Sequence, residues 1–358
     1  MNERLNIGVV GLGRMGQRHA MNLLNRVPRA RLFSVCSPAL EEIDWAKKNL
    51  EPEGVKVFSE TSEMMDFSGI EAVVIASPTH LHMDHTLAAL QRGIHVLCEK
   101  PITTDLDLLR NLIDTVRKTP HIKVMTAFMR RFDLDYQRAI QEIQLGSIGT
   151  PIIVRSQGAE KLNNTGSYVD YLCHSGGIFV DAAIHDIDLT LALLGEDVKP
   201  KALWATGVIA HHHTIGTFGD VDNSIGVVEF WGGKVAYFYH SRTAAHGYDN
   251  CTEIVGTEGK ISINLVPIRD RLQLSSSSGI SQQAIPGWSD RYCEAFVTEL
   301  NEFTEAVLEE RELPLGLEAA YTGLQVALAL QESLRTGEKI DFDENGARMD
   351  VSKKKKPV

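Results

Sequence analysis

No two of the five cysteines, at positions 36, 98, 173, 251 and 293, form a Cys-x-x-Cys pair. Odd in number and far apart, they fit neither a disulfide framework nor a zinc site, and they point to a reducing, cytoplasmic setting. Long apolar runs are also missing: none approaches the ~18 residues needed to span a bilayer. The opening MNERLNIGVVGLG lacks the charged, apolar and small-residue zones of a secretory signal. Basic charge is scarce too, since 36 Lys and Arg face 47 Asp and Glu, a formal net charge of −11. Without a broad cationic field, neither nucleic acid nor a membrane surface is an expected partner. The exception is the terminal SKKKKPV, which reads as a solvated, disordered basic tail beginning near residue 346.

The 358 residues are 43% apolar and 23% charged, an ordinary globular composition in a chain too long for one core. Two domains are therefore expected. Up to residue 127, short β-branched runs (LNIGVV, RLFSVC, VKVFS, AVVIAS, HVLCEK, KVMTAF) alternate with amphipathic stretches such as MGQRHAMNLLNRV and TDLDLLRNLIDTVRK. Buried strands alternating with helices predict an α/β domain, a doubly wound parallel sheet with helices on both faces. From 128 to 345 the rhythm changes. A helix near 133 to 145 precedes a succession of strands joined by turns such as WGG and GTEG, and two helices close the segment. That pattern predicts an α+β domain with a mostly antiparallel sheet.

IGVVGLGRMG places Gly11, Gly13 and Gly16 directly after a strand and at the start of a helix. Glycine allows the tight turn and the close approach to a pyrophosphate, whose charge then sits at the helix N-terminus. Within six alternating units this is a dinucleotide-binding Rossmann signature. The acidic residue expected about twenty positions on, which would bond the ribose 2′-hydroxyl, is replaced by Ser37. Arg14 is the nearest cation and would tolerate a 2′-phosphate, whereas Glu41 and Glu42 oppose a phosphate-selective pocket; Ser37 also fits a plain helix cap. NAD and NADP both stay open.

HVLCEKP carries Glu99, Lys100 and Pro101 to the carboxyl end of the fifth strand, where open parallel sheets bind ligands. A lysine there can orient a hydroxyl and stabilise negative charge developing on its oxygen. In GGIFVDAAIHDIDL, read as one helix, Asp181 and His185 stand four apart and share a face. Asp186 and Asp188, on other faces, are expected at solvent or as caps. Three consecutive rings, His211 to His213, cannot converge on one metal, so they are assigned to a loop and no metal is expected.

Together GLGRMG, SPTHLHMDHTLAALQRGIHVLCEKP, AFMRRFDLDY, GGIFVDAAIHDIDL and HSRTAAHGYDNCTEIVGTEG resemble the glucose-fructose oxidoreductase and inositol dehydrogenase (Gfo/Idh/MocA) family, from about residue 5 to 340. The resemblance implies a Rossmann domain followed by an open-faced α+β domain, with catalytic residues between them. It places Lys100, Asp181 and His185 at a secondary alcohol. His185 suits the proton transfer, having an ordinary pKa nearest neutrality, and Asp181 can fix its tautomer or hold a second hydroxyl. The cofactor set it implies is Gly11, Gly13, Arg14, Met15, Gly16, Ser37, Ser77, Pro78, His82, Glu99, Lys100, Met129 and Arg130. Besides Lys100, Met129 and the Asp181/His185 pair, His246 and Tyr248 are candidates for contact with substrate, with Tyr292 after them, and so are Lys161 and Tyr168 from this chain's own sequence. Arg131 accompanies Met129 and Arg130 in FMRRFD, which equally suits a domain-junction salt bridge.

One stretch departs from the inositol dehydrogenases. They tend to carry a histidine and an asparagine after the first strand of the second domain, where this chain has Gln157, Glu160, Lys161 and Tyr168, with no histidine until His174. That weakens inositol itself and leaves a related cyclitol, polyol, sugar or sugar acid open, Lys161 suiting a carboxylate. The expected activity is NAD(P)-dependent oxidation or reduction of such an alcohol. A non-catalytic dinucleotide-binding regulator and an NAD-dependent glycoside-cleaving enzyme are the alternatives. Covering the open sheet implies a homodimer or homotetramer.

Overall fold

Four strands of the amino-terminal part are buried along nearly their whole length, as a sheet covered on both faces requires. The structure, a computed structural model, describes residues 4–349, so the lysine run at the end lies outside the described residues. In chain order the first elements are β1 (Leu5–Val10), α1 (Arg14–Arg26), β2 (Ala30–Cys36), α2 (Leu40–Asn49), β3 (Lys56–Phe58), α3 (Thr61–Met65), β4 (Ala72–Ile75), α4 (Thr79–Gln91), β5 (His95–Glu99), α5 (Leu106–Arg117) and β6 (Val124–Ala127). The six strands are parallel in the order β3-β2-β1-β4-β5-β6, which reverses direction of growth at β1. Helix starts are local events here: the Asp105 carboxylate accepts from the N–H groups of Asp107 and Leu108 and so begins α5, whose Leu109, Leu112 and Ile113 face the core.

The chain continues through α6 (Leu134–Gln144), β7 (Pro151–Lys161), α7 (Gly166–His174), α8 (Ile178–Asp181), α9 (Ile184–Leu194), β8 (Pro200–Val208), β9 (Asn223–Phe230), β10 (Lys234–Ala244), β11 (Asp249–Gly256), β12 (Lys260–Ile263), β13 (Leu274–Ser276), β14 (Gly279–Ser281), α10 (Trp288–Arg291), α11 (Cys293–Leu308), α12 (Leu317–Thr336) and β15 (Ile340–Asp341). Seven strands form one sheet in the order β12-β11-β7-β10-β9-β8-β15. All its pairings are antiparallel except β7 with β10, so the sheet is mixed. Its inner face is closed by helices. Phe179 and Leu330 press on Gly226, and the Ser333 hydroxyl oxygen accepts from the N–H of Ala205. Its outer face carries the register row Trp204, Val227, Tyr237, Arg155 and Glu253, with Ile225, Tyr239 and Ile153 beside it, all at least partly exposed.

Two compact units emerge, and neither is a single span of chain. The first comprises residues up to Asp133 together with Tyr292–Thr322, and the second Leu134–Arg291 together with the chain from Gly323 on. The sequence places one boundary at 127/128 and assigns everything from 128 to 345 to the second domain. What separates the two descriptions is α11, which packs on α1, β1 and the 3₁₀ turn Met129–Phe132. An amphipathic helix carries no mark in its own sequence of which sheet it covers.

GGIFVDAAIHDIDL departs from the continuous helix that its periodicity predicts. It forms α8, a break at Ala182–Ala183, and α9, so Asp181 ends one helix and His185 is the second residue of the next. The start of the segment is fixed by remote partners. Gly177, at φ 108°, admits a turn that a side chain would resist, and the N–H groups of Ile178 and Phe179, which have no partner within the helix, donate to Asp220 and Gln331. α8 then closes with the N–H of Ala183 bonding the carbonyl of Ile178, five residues back. Asp186 and Asp188, expected at solvent or as caps, are buried in α9 at 0% and 1% exposure. Asp186 accepts from the Ser156 hydroxyl at 2.6 Å, and His240 Nε2 lies 3.3 Å from its other oxygen.

The histidine run is held by a carboxylate. Asp222 accepts backbone N–H groups from Ala210, His211 and His212 at 2.7, 2.7 and 2.8 Å. Burial alone would raise its pKa, but those donors and the Asn223 amide outweigh it and hold the carboxyl below the usual range. An acid depressed in the folded state contributes stability that is complete above its unfolded pKa of about 3.9 and vanishes as pH falls through the folded value. Asp222→Ala is expected to lower stability by about 1 to 3 kcal/mol at neutral pH. It should also flatten the acid limb of a plot of Tm against pH, read by scanning calorimetry; an unchanged acid limb would contradict the assignment.

Candidate active site

The glycine loop works by close approach. Gly11 has φ 87°, and a Cβ on it would lie 2.7 Å from the backbone of Ser77; a Cβ on Gly16 would lie 1.8 Å from the carbonyl oxygen of Gly11. Both positions exclude side chains, so α1 can start directly over β1. No side chain caps α1, which leaves its first N–H groups for an anion. Arg14 is exposed and Met15 half-exposed in its first turn. These features fit a dinucleotide pyrophosphate. Ser37 is 1% exposed and donates its hydroxyl to Glu42, whose carboxylate also accepts the N–H of Leu12.

Across the sheet, His82 clasps two strand ends. Its ring nitrogens lie 2.8 Å from the carbonyl oxygen of Pro101 and 2.7 Å from that of Ser77. Ser77 and Pro78 lead into α4, with the Ser77 hydroxyl 3.0 Å from His85 Nδ1. Glu99 closes β5 and is bound through its carboxylate to His19 Nε2 at 2.8 Å. Burial would raise its pKa, yet the His19 bond and the charges of His19, Lys100 and His82 keep it lowered. Lys100 follows half-buried, joined to Pro101 by a cis peptide. Behind this group Glu299 on α11 is fully buried, with neither oxygen partnered among the described residues. Burial first, and the Glu99 charge second, push its pKa well above the ordinary value. Met129 and Arg130 are buried in the 3₁₀ turn, and the Arg130 guanidinium stands 5.2 Å from the ring centre of Tyr292, itself fully buried.

In the second unit Asp181 is gripped from two sides. Tyr171 donates its hydroxyl to one oxygen at 2.6 Å, and Arg242 reaches the other at 3.4 Å. Arg242 is wholly buried and also bonds Asp220 at 3.1 Å. Burial would lower its pKa, but Asp181 and Asp220 more than compensate. Tyr168 donates to Glu160 at 2.9 Å and stacks on Tyr171, with ring centres 6.4 Å apart. His185 is buried at 9% exposure. Lys161 is exposed at the end of β7, His246 is exposed and 3.1 Å from Asp249, and Tyr248 is buried at 2%. Reading the sequence did not single out His19, Glu299, Tyr171, Asp220 or Arg242. The available signals were slight: Tyr171 follows Tyr168 at helical spacing, and Arg242 lies within a segment already quoted for its resemblance.

Two family models match this chain: the oxidoreductase family with an NAD-binding Rossmann fold over residues 5–128, and the GFO/IDH/MocA C-terminal domain over residues 136–262. The chain belongs to the GFO/IDH/MocA family. It is 33% identical to scyllo-inositol 2-dehydrogenase (NAD(+)) of Bacillus subtilis over 96% of this chain and 98% of that protein. It is 28% identical to myo-inositol 2-dehydrogenase of Thermotoga maritima, over 95% and 99%. Among solved structures, scyllo-inositol dehydrogenase from Lactobacillus casei with bound NAD(H) and scyllo-inositol superposes with a TM-score of 0.89 at 31% identity, covering 95% of this chain and 99% of that one. This GFO/IDH/MocA member is accordingly an NAD-dependent oxidoreductase acting on CH–OH groups. Among the described residues no cluster of His, Cys, Asp or Glu could hold a metal, and no helix is long and apolar enough to cross a membrane.

Gly11→Ala places a methyl group against the Ser77 backbone and forces a disfavoured φ, so NAD affinity should fall at least tenfold. Calorimetric titration with NAD checks this, alongside circular dichroism to confirm folding; unchanged affinity in a folded variant would remove the loop from the cofactor site.

Proposed function

We propose that the protein is an NAD-dependent dehydrogenase of a cyclitol of the inositol class, with Lys100, Asp181 and His185 as its reacting groups. The observation that carries this reading is the Asp181 carboxylate, held between Tyr171 and Arg242 just before the break that leads to His185. A carboxylate fixed on both oxygens presents a directed acceptor, suited to one hydroxyl of a ring that carries several. Glu160 and Tyr168, bonded to each other beside Tyr171, extend this polar wall. They stand in the stretch that departs from the inositol dehydrogenases in sequence, and the relatives' names support the inositol class despite that departure.

In this reading His185 takes the proton of the reacting hydroxyl on a ring nitrogen, and the Lys100 ammonium donates to the same oxygen as negative charge develops there. Asp181 holds a neighbouring hydroxyl and fixes the ring's rotation. NAD, when bound, accepts the hydrogen and electron pair that leave the carbinol carbon.

The proposal includes a homodimer or homotetramer that covers the outer face of the seven-stranded sheet. Its support is the apolar content of that face, where Trp204 is 43% and Ile153 42% exposed beside Val227, Tyr237 and Tyr239. It also includes a reducing cytoplasm, consistent with five free cysteines of which Cys36, Cys98 and Cys251 are buried. A monomer by light scattering at micromolar concentration would count against the assembly, and Tyr237→Glu should shift the distribution toward smaller species.

Turnover should appear with NAD and scyllo- or myo-inositol. His185→Ala is expected to lower kcat by roughly 10²- to 10⁴-fold with NAD affinity unchanged. Near-wild-type turnover by that variant would overturn the proton-transfer role. Tight NAD binding without turnover of any cyclitol or sugar would instead favour a binding module, and product release without net NADH would favour glycoside cleavage.

A further inference from the structure

We infer that Glu42, on the first turn of α2, is the residue that reads the adenosine ribose and selects NAD over NADP. In dinucleotide-binding folds an acidic residue closing the second strand accepts hydrogen bonds from the ribose hydroxyls. Here β2 ends at Cys36, whose carbonyl accepts the N–H of Gly11 at 2.8 Å, so the strand end lies against the glycine loop. The next residue is a serine with no charge to offer and 1% exposure. It is turned onto Glu42: the Ser37 hydroxyl donates to Glu42 Oε2 at 2.5 Å, and the same oxygen accepts the N–H of Leu12 at 3.1 Å.

A carboxylate five residues along the chain is thereby drawn back to the strand end. Its second oxygen lies beside the loop as well, 3.6 Å from where a Cβ of Gly13 would stand. The residue is half-exposed, so this oxygen can accept from a ligand hydroxyl while the first stays tied to protein donors. Ser37 acts through Glu42 as a positioning residue, with its own oxygen also accepting the N–H of Ala39 at 3.1 Å.

The chemistry then discriminates by charge. A ribose 2′-hydroxyl donates a charge-assisted hydrogen bond to the carboxylate. A 2′-phosphate in its place presents acceptor oxygens and about two negative charges to an acceptor that is itself negative. Arg14, exposed at the start of α1, is the counterweight that a 2′-phosphate could use once the carboxylate is neutralised. Glu41, exposed and adjacent, is bonded to neither the loop nor Ser37 in the same manner and serves as a control. The inference rests on NAD as cofactor and not on which alcohol is oxidised.

Calorimetric titration of the full chain with NAD and with NADP, without substrate, tests it. Wild-type protein should bind NAD at least tenfold more tightly than NADP. Glu42→Gln should weaken NAD roughly tenfold, the worth of one charge-assisted hydrogen bond, and should strengthen NADP, so that the ratio collapses. Glu41→Gln should leave the ratio unchanged. Should Glu42→Gln fold poorly, the wild-type protein still tests the discrimination, since AMP should displace NAD at least tenfold better than 2′,5′-ADP, which differs from it only by the 2′-phosphate. A Glu42→Gln ratio within twofold of wild type, or equal displacement by the two adenosine phosphates, would overturn the assignment. Loss of all NAD binding in the wild type would overturn the cofactor reading along with it.

Discussion

A Cβ at residue 16 would stand 1.8 Å from the carbonyl oxygen of Gly11, and much of the first unit follows from that closeness. Only a backbone without side chains lets α1 begin on top of β1, and only then do its first N–H groups face the gap where the strand order reverses. Once the loop is there, the neighbouring strand ends gain meaning. Ser77 lies against Gly11, Glu42 reaches the N–H of Leu12, and β5 delivers Lys100 two strands from β1. The same residues on a looser turn would be ordinary surface groups.

Polar groups then hold each strand end in place. His82 ties the carbonyls of Ser77 and Pro101, His19 fixes Glu99, and Arg242 joins Asp181 to Asp220. Each is a buried or nearly buried group whose cost of desolvation is offset by a specific partner. Such partners fix direction as well as position, and an alcohol dehydrogenase needs direction, since proton and hydrogen leave one C–O–H unit along different lines. Glu299 is the counterexample, an acid buried beside Glu99 with neither oxygen partnered among the described residues and its pKa pushed upward by burial.

The parallel sheet, the glycine loop and the lysine after β5 were legible in the sequence because each is local, written within about a dozen residues as a period or a spacing. The break at Ala182–Ala183 was not. α8 is held at its start by Asp220 and Gln331, which satisfy the N–H groups of Ile178 and Phe179 from 42 and 152 residues away. Periodicity reports which residues prefer the interior and says nothing of remote caps, so α8 and α9 read as one helix. Asp186 and Asp188 were misplaced for a related reason: charge predicts exposure unless a partner such as Ser156 waits on another strand. The pairing of Glu99 with His19 across 80 residues was equally invisible.

The passage of α11 into the first unit has a consequence for how the protein is made. The first 133 residues contain the whole parallel sheet, yet the surface formed by α1, β1 and the Met129–Phe132 turn stays uncovered until Phe296, Leu300 and Phe303 have been synthesised. The ribosome must complete the entire seven-stranded sheet except β15 before that cover exists. During translation the nucleotide-binding half is thus the older in sequence yet stays unsealed until α11 emerges, so a nascent chain stalled within β7 to β14 would leave an apolar strip uncovered.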